Sequence, residues 1–222
     1  MTTLDTPPLS DVLTRLFAES DVLEAAMRQE MSNLTPEERT ARRQNSADYQ
    51  SFYMTRAKNL YLAVSRETAG LLYMLARSMQ ARSVVEFGTS FGISTLHLAA
   101  ALKDNGGGGR VIGTEFEPSK VARARENIAA AALEEFVEIR AGDALETLAR
   151  DLPQTIDLVL LDGAKSLYPR VFALLAPRLR RGALVVADNA EMAPEYIESV
   201  RKPGSGYMSV PVADDVELTM KL

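Results

Sequence analysis

Asp162 and Lys165 stand close together in Leu161-Asp-Gly-Ala-Lys-Ser-Leu-Tyr168, and Asp188-Asn189 follow a later apolar run. Two carboxylates and a carboxamide, with no thiol or imidazole beside them, form a donor set for a hard divalent ion. Mg²⁺ suits it best, with Mn²⁺ and Ca²⁺ as alternatives. The remaining octahedral positions would be free for water and a chelating substrate. A lysine beside such an ion, partly desolvated, is suited to act as a base. Taken without their neighbours, Asp162 could equally cap a helix and Asp188-Asn189 form a turn.

A second constellation is Val84-Val-Glu-Phe-Gly-Thr-Ser-Phe-Gly-Ile-Ser-Thr95. Its glycines would let a ligand approach the backbone closely at the end of a strand. A phosphate loop is excluded because no Lys-Ser or Lys-Thr follows the second glycine, and the dinucleotide fingerprint fails because no Gly-x-Gly pair is present. Glu86, just before Gly88, suits a cationic ligand better than a pyrophosphate. Glu115 ends the next apolar run, where a doubly wound fold places the acid that binds ribose hydroxyls. Asp143-Ala144 ends the third and could rim a base.

These residues need a scaffold that gathers strand ends. Residues 1–80 read as helical. A helix start is expected at Thr35-Pro36-Glu37-Glu38, and a helix over Ser65–Met79 with Leu71, Leu72, Leu75 and Met79 at core spacing. From residue 81 the grammar changes to short apolar runs at Ser83–Phe87, Arg110–Glu115, Phe136–Arg140, Ile156–Asp162 and Ala183–Asp188. Helical stretches at Ser94–Leu102, Ser119–Leu133 and Tyr168–Leu179 fall between them, which predicts crossovers and a parallel sheet. Runs such as Asp157-Leu-Val-Leu-Leu161 lack polar alternation, as strands covered on both faces do. Tyr207–Val212 and Val216–Leu222 lie too close for a crossover and predict an antiparallel hairpin. The fold class is therefore α/β: a doubly wound, seven-stranded, mostly parallel sheet with a C-terminal antiparallel hairpin and N-terminal helices. One domain over 1–222 is expected, with 1–80 as a helical cap and 81–222 as the core sheet.

Composition narrows the function classes. The chain has 222 residues, 46% hydrophobic and 25% charged, with a net charge of −5, which speaks against a phosphate backbone as main partner. No cysteine is present, so disulfides, thiolate metal sites and a cysteine nucleophile are excluded. The single His97 excludes a multi-histidine metal site and reads as structural. No apolar run approaches the roughly 20 residues of a membrane span, and the start MTTLDTPPLSDV lacks a signal peptide's basic and apolar regions. A cytoplasmic protein is the expectation. Arg178, Arg180 and Arg181 read as complementing the dipole at the end of the fourth crossover helix. Tyr53, Tyr61 and Tyr73 are candidates for an acceptor pocket, or for core and interface.

Glu-Phe-Gly-Thr-Ser-Phe-Gly-Ile-Ser (86–94), Glu115, Asp-Gly-Ala-Lys-Ser-Leu-Tyr (162–168) and Asp188-Asn189 together resemble the motifs of the metal-dependent class I S-adenosylmethionine O-methyltransferases. That family includes catechol and caffeoyl-CoA O-methyltransferases. The resemblance runs from about Tyr61 to Leu222, and its specific part is Asp-x-x-Lys-x-x-Tyr with the Asp-Asn pair. It implies that Glu86, Gly88, Thr89 and Ser94 hold the methionine part of S-adenosylmethionine, with Ser65 at the same end. Glu115 would hold the ribose and Asp143-Ala144 the adenine. Asp162, Asp188 and Asn189 would hold the metal, Asp162 would also border the cofactor, and Lys165 would be the base. The closing turn departs from the pattern, with Asp214-Asp215 where relatives often carry Asp-Gly.

The resemblance implies an O-methyltransferase acting on a small phenolic, catechol-like acceptor, and a homodimer built through the N-terminal helices. Two alternatives stay open: a transfer-RNA hydroxyuridine O-methyltransferase and a non-catalytic S-adenosylmethionine-binding protein. A NAD-dependent dehydrogenase is disfavoured by the missing glycine fingerprint and the hairpin.

Overall fold

The computed structural model describes residues 2–33, 35, 54, 55, 58–212 and 215–222. The helix start at Thr35–Glu38, Tyr53 and the first residues of the closing turn, 213 and 214, lie outside or at the edge of that set.

A long helix α1 (Leu9–Ser32) and α2 (Arg66–Ser78) precede the sheet. Ser65 caps α2 through its hydroxyl, which accepts the Thr68 N–H. The alternation then runs β1 (Ser83–Phe87), α3 (Ile93–Asp104), β2 (Arg110–Glu115), α4 (Pro118–Ala130), β3 (Val137–Ala141) and a single turn α5 (Ala144–Thr147). It continues with β4 (Ile156–Leu161), α6 (Tyr168–Leu175), β5 (Leu179–Ala187), α7 (Pro194–Arg201), β6 (Tyr207–Pro211) and β7 (Glu217–Lys221). The described residues form a seven-stranded sheet in the order β3-β2-β1-β4-β5-β7-β6. The first five strands pair in parallel, and β7 pairs antiparallel with both β5 and β6. The order reverses beside β1, which puts a switch point at the carboxyl ends of β1 and β4, where open α/β sheets bind ligands.

The central strands have no polar face because both are covered. Val84, Leu158, Leu160 and Val186 face one core, against Leu16 of α1, Leu72 of α2 and Leu96 of α3. Their neighbours Val85, Phe87, Val159 and Leu161 face the other, against Tyr168 and Val171 of α6 and Tyr196 of α7. Each fully buried Leu or Val contributes about 1.5–3 kcal/mol. Helix α3 is buried from Ile93 to Leu102, and its buried polar residues Ser94, Thr95 and His97 are each hydrogen-bonded. His97 lies within it with Nδ1 2.8 Å from the Ile93 carbonyl, a structural position as expected.

One boundary is corrected. Helix α6 ends at Leu175, a short turn carries Pro177, and β5 begins at Leu179 rather than Ala183. A bulge interrupts its pairing with β4 between Leu179 and Leu184, and Gly182 at φ +75° accommodates it. Arg180 and Arg181 therefore lie on a strand. Arg180 pairs with Asp157 at 2.5 Å instead of complementing a helix dipole.

Candidate active site

Backbone bonds stitch the strand ends into one rim. The Gly88 and Thr89 N–H groups donate to the Thr114 carbonyl, Gly142 N–H to Glu115, Asp162 N–H to Phe87, and Asp188 N–H to Leu161. Every sequence-expected site residue except Ser65, which lies just ahead of α2, is on or next to this rim.

The turn after β1 needs left-handed backbone at Gly88 (φ +101°), Ser90 (φ +49°) and Gly92 (φ +94°). Beneath it Glu86 is completely buried, accepting the hydroxyls of Thr89 (2.8 Å), Ser94 (2.7 Å) and Thr95. Burial pushes its carboxyl up, against the three donated bonds. Glu86 thus fixes the turn from below, whereas Thr89 and Ser94 line a small recess under the segment 61–64. Ser65 is exposed on the rim of a wider cleft, its hydroxyl engaged in capping α2.

Gly88, Glu115, Asp143, Ala144 and Asp162 line an inner cavity together. The two Glu115 oxygens accept the backbone N–H groups of Ser90 (2.8 Å) and Glu117 (2.9 Å). Asp143 caps α5 by accepting Leu145 N–H.

Outside that cavity lies the cleft, of about 680 Å³, bounded by Asp162, Lys165, Asp188, Asn189 and Asp215 on the sheet side and by Tyr61 and Ser65 opposite. The bidentate Arg66–Asp21 pair, at 3.0 and 2.8 Å, ties α2 to α1 along its wall. Tyr61 reaches the cleft, but Tyr73 bonds Asp104 at 2.6 Å away from it.

Lys165 Nζ donates to Asp162 Oδ1 at 3.0 Å and to the Tyr168 hydroxyl at 2.8 Å. That hydroxyl also lies 2.6 Å from the Leu161 carbonyl and 2.8 Å from that of Asp188, so Tyr168 clamps the ends of β4 and β5 together. The Asp162 and Asp188 carboxyls lie close enough to influence each other's ionisation. Burial pushes Asp162 up against the pull of Lys165. Burial together with the charge of Asp162 pushes Asp188 up to about 7. Asn189, left-handed at φ +45°, donates Nδ2 to Asp215 Oδ2 at 3.1 Å, which leaves its carboxamide oxygen as the donor end.

Among the described residues no three His, Cys, Asp or Glu side chains form a metal cluster. The donor set is instead two carboxylates and a carboxamide, and its chemistry fits a hard cation. Two facing buried carboxyls that resist ionising together are relieved by a positive charge between them.

Sequence reasoning missed Lys120 and Leu62. Lys120 lines the inner cavity, and Leu62 lines both it and the cleft. A signal for Lys120 is present in the sequence, since a lysine in the first turn of a helix stands at the positive end of the dipole. Leu62 lies in an irregular segment with φ +45°, which no apolar period marks.

The sheet order, the hairpin and the acidic rim at the switch point define a class I, Rossmann-like methyltransferase fold. A family model described as "Methyltransferase domain" matches residues 85–190. A catechol O-methyltransferase from Niastella koreensis is 35% identical over 131 residues, 58% of this chain and 58% of that protein. One from Mycobacterium tuberculosis is 37% identical over 128 residues, 58% of this chain and 57% of that protein. The crystal structure of the O-methyltransferase TomG from Streptomyces achromogenes, in complex with SAM, superposes with a TM-score of 0.63 at 26% identity, covering 85% of this chain and 99% of that one. Over this span the chain is similar to class I S-adenosylmethionine-dependent O-methyltransferases. It covers less than two thirds of the length of the two curated relatives. Among the described residues no helix is long and apolar enough to cross a membrane.

Proposed function

We propose that this chain transfers the methyl group of S-adenosylmethionine to a hydroxyl of a small, catechol-like phenolic acceptor, with a divalent cation and a lysine base. The observation that carries this reading is the position of Asp162. It borders the inner cavity and the cleft at once, with Lys165 Nζ 3.0 Å from it on the cleft side. The cofactor would lie in the inner cavity, its ribose at Glu115 and its adenine at Asp143-Ala144. The acceptor would lie in the cleft.

Asp162, Asp188 and Asn189 would hold the cation. Bound there, a cation would chelate two vicinal oxygens and favour the ionised form of a phenol whose ordinary pKa is about 10. Lys165 takes the proton of the attacking hydroxyl, and Tyr168 holds the lysine in place. The oxygen gains the methyl carbon as the carbon–sulfur bond breaks, and the electron pair stays on sulfur. The rim aligns donor and acceptor, which supplies several kcal/mol of the rate enhancement.

Asp21, Glu24, Glu67, Asp162, Asp188 and Asp215 line the cleft against two cations, Arg66 and Lys165, which leaves an excess of acids. So acidic a wall favours a small neutral or cationic acceptor and repels a phosphate backbone. The test is labelled-methyl transfer with Mg²⁺ present, comparing catechols, single-hydroxyl phenols and bulk transfer RNA. Methylation of catechols alone is expected. Methylation of transfer RNA alone, or of no acceptor despite cofactor binding, would overturn the reading.

A further inference from the structure

Lys120 lies in the first turn of α4 and is only 1% exposed. Its burial runs against two tendencies at once. Lysines are almost never fully buried unless paired, and the start of a helix disfavours a cation. Its Nζ lies 5.4 Å from the centre of the Phe91 ring and donates to Ser90 Oγ at 3.3 Å. Ser90 Oγ donates onward to the Tyr61 carbonyl. An ammonium can donate three hydrogen bonds, and among the described residues this long one is the bond Lys120 makes. Burial pushes its pKa down, while Glu115, Glu117 and Asp162 favour the charge.

The same side chain lines the inner cavity with Glu115 and Gly88. Ser90 ties the two groups together, since its N–H donates to Glu115 Oε2 and its Oγ accepts from Lys120. A carboxylate and an under-used ammonium therefore flank one part of the cavity, an acceptor beside a donor. A vicinal diol matches such a pair, because each hydroxyl can donate to the carboxylate and accept from the ammonium.

We propose that Lys120 is a cofactor-binding residue whose ammonium donates to the ribose hydroxyl oxygens that Glu115 engages as acceptor. The inference rests on the reading that the inner cavity takes S-adenosylmethionine, and it adds a ribose contact to it. An apolar residue at 120 would leave the ribose oxygens with one charge-assisted bond fewer.

Calorimetric titration with S-adenosylhomocysteine and with its 2′,3′-dideoxy analogue tests it on wild type, K120M and K120Q. K120M should bind S-adenosylhomocysteine roughly tenfold or more weakly, yet bind the dideoxy analogue within about twofold of wild type. K120Q keeps a donor without the charge and should fall between. If K120M does not fold, K120Q decides by the same comparison of ligands. Undiminished binding of S-adenosylhomocysteine, or equal losses for both ligands, would overturn the proposal, the second outcome marking a packing role. A wild-type protein that binds neither ligand would overturn the cofactor reading itself, and this inference with it.

Discussion

Gly88 and Asp162 belong to different strand–loop junctions, yet their backbones are in contact: a Cβ on Gly88 would stand 2.5 Å from the Asp162 carbonyl oxygen. The Asp162 N–H meanwhile donates to Phe87 at 2.8 Å. The turn that borders the inner cavity and the loop that carries Asp162 and Lys165 are thus one packed unit.

G88A should disturb both compartments at once. The added methyl group meets backbone, which cannot swing aside, and φ +101° is strained for any side chain. A loss of about 2–4 kcal/mol in stability is expected, with S-adenosylhomocysteine binding and methyl transfer both falling. Chemical denaturation and calorimetry on the same preparation check it.

K165A should separate binding from chemistry. Lys165 faces the cleft and does not line the inner cavity. Turnover should fall by about 10²–10⁴, while S-adenosylhomocysteine affinity should change far less, because Lys165 meets the inner cavity only through Asp162. Rates at saturating cofactor and a binding isotherm are the paired measurements.

E115A should do the reverse. Its oxygens accept two backbone N–H groups and face the inner cavity. Affinity for S-adenosylhomocysteine should drop by about tenfold to a hundredfold. Turnover at saturating cofactor should change far less, which steady-state kinetics would show.

The hairpin carries a pH signature. Glu217, buried at the start of β7, accepts Arg201 of α7 at 2.7 and 2.5 Å and Ser209 at 2.5 Å. Burial pushes its carboxyl up, but Arg201 and Ser209 outweigh that and hold it below the usual 4.5. A depressed carboxylate stabilises the fold above its unfolded pKa, and that contribution is lost as pH falls through the folded value. R201M should therefore cost about 2 kcal/mol near neutral pH, with the gap to wild type closing below about pH 4.5. Denaturant midpoints across pH 3 to 8 would trace it.

Much of the fold and of the site is legible in the sequence. The apolar runs without alternation locate β1 to β4 to within a residue, and the short spacer near the C-terminus marks the antiparallel pair. The parts that stay hidden are local in cause. Arg180-Arg181-Gly182 looks like a helix end because the bulge interrupts the apolar run of β5. Lys120 looks like a solvated charge because sequence alone does not show that Ser90 and Phe91 enclose it. Glu86 reads in the sequence as facing a ligand, and the structure turns it onto three hydroxyls beneath the turn, a choice made by burial rather than spacing.

A cation at the paired carboxyls of Asp162 and Asp188 is the centre of the proposed mechanism. The direct measurement is the initial rate of methyl transfer to a catechol before chelation, in excess chelator, and after Mg²⁺ is restored. The rate should collapse in chelator and return with the metal, and D188A should show no such recovery. A rate that chelator leaves unchanged would contradict it.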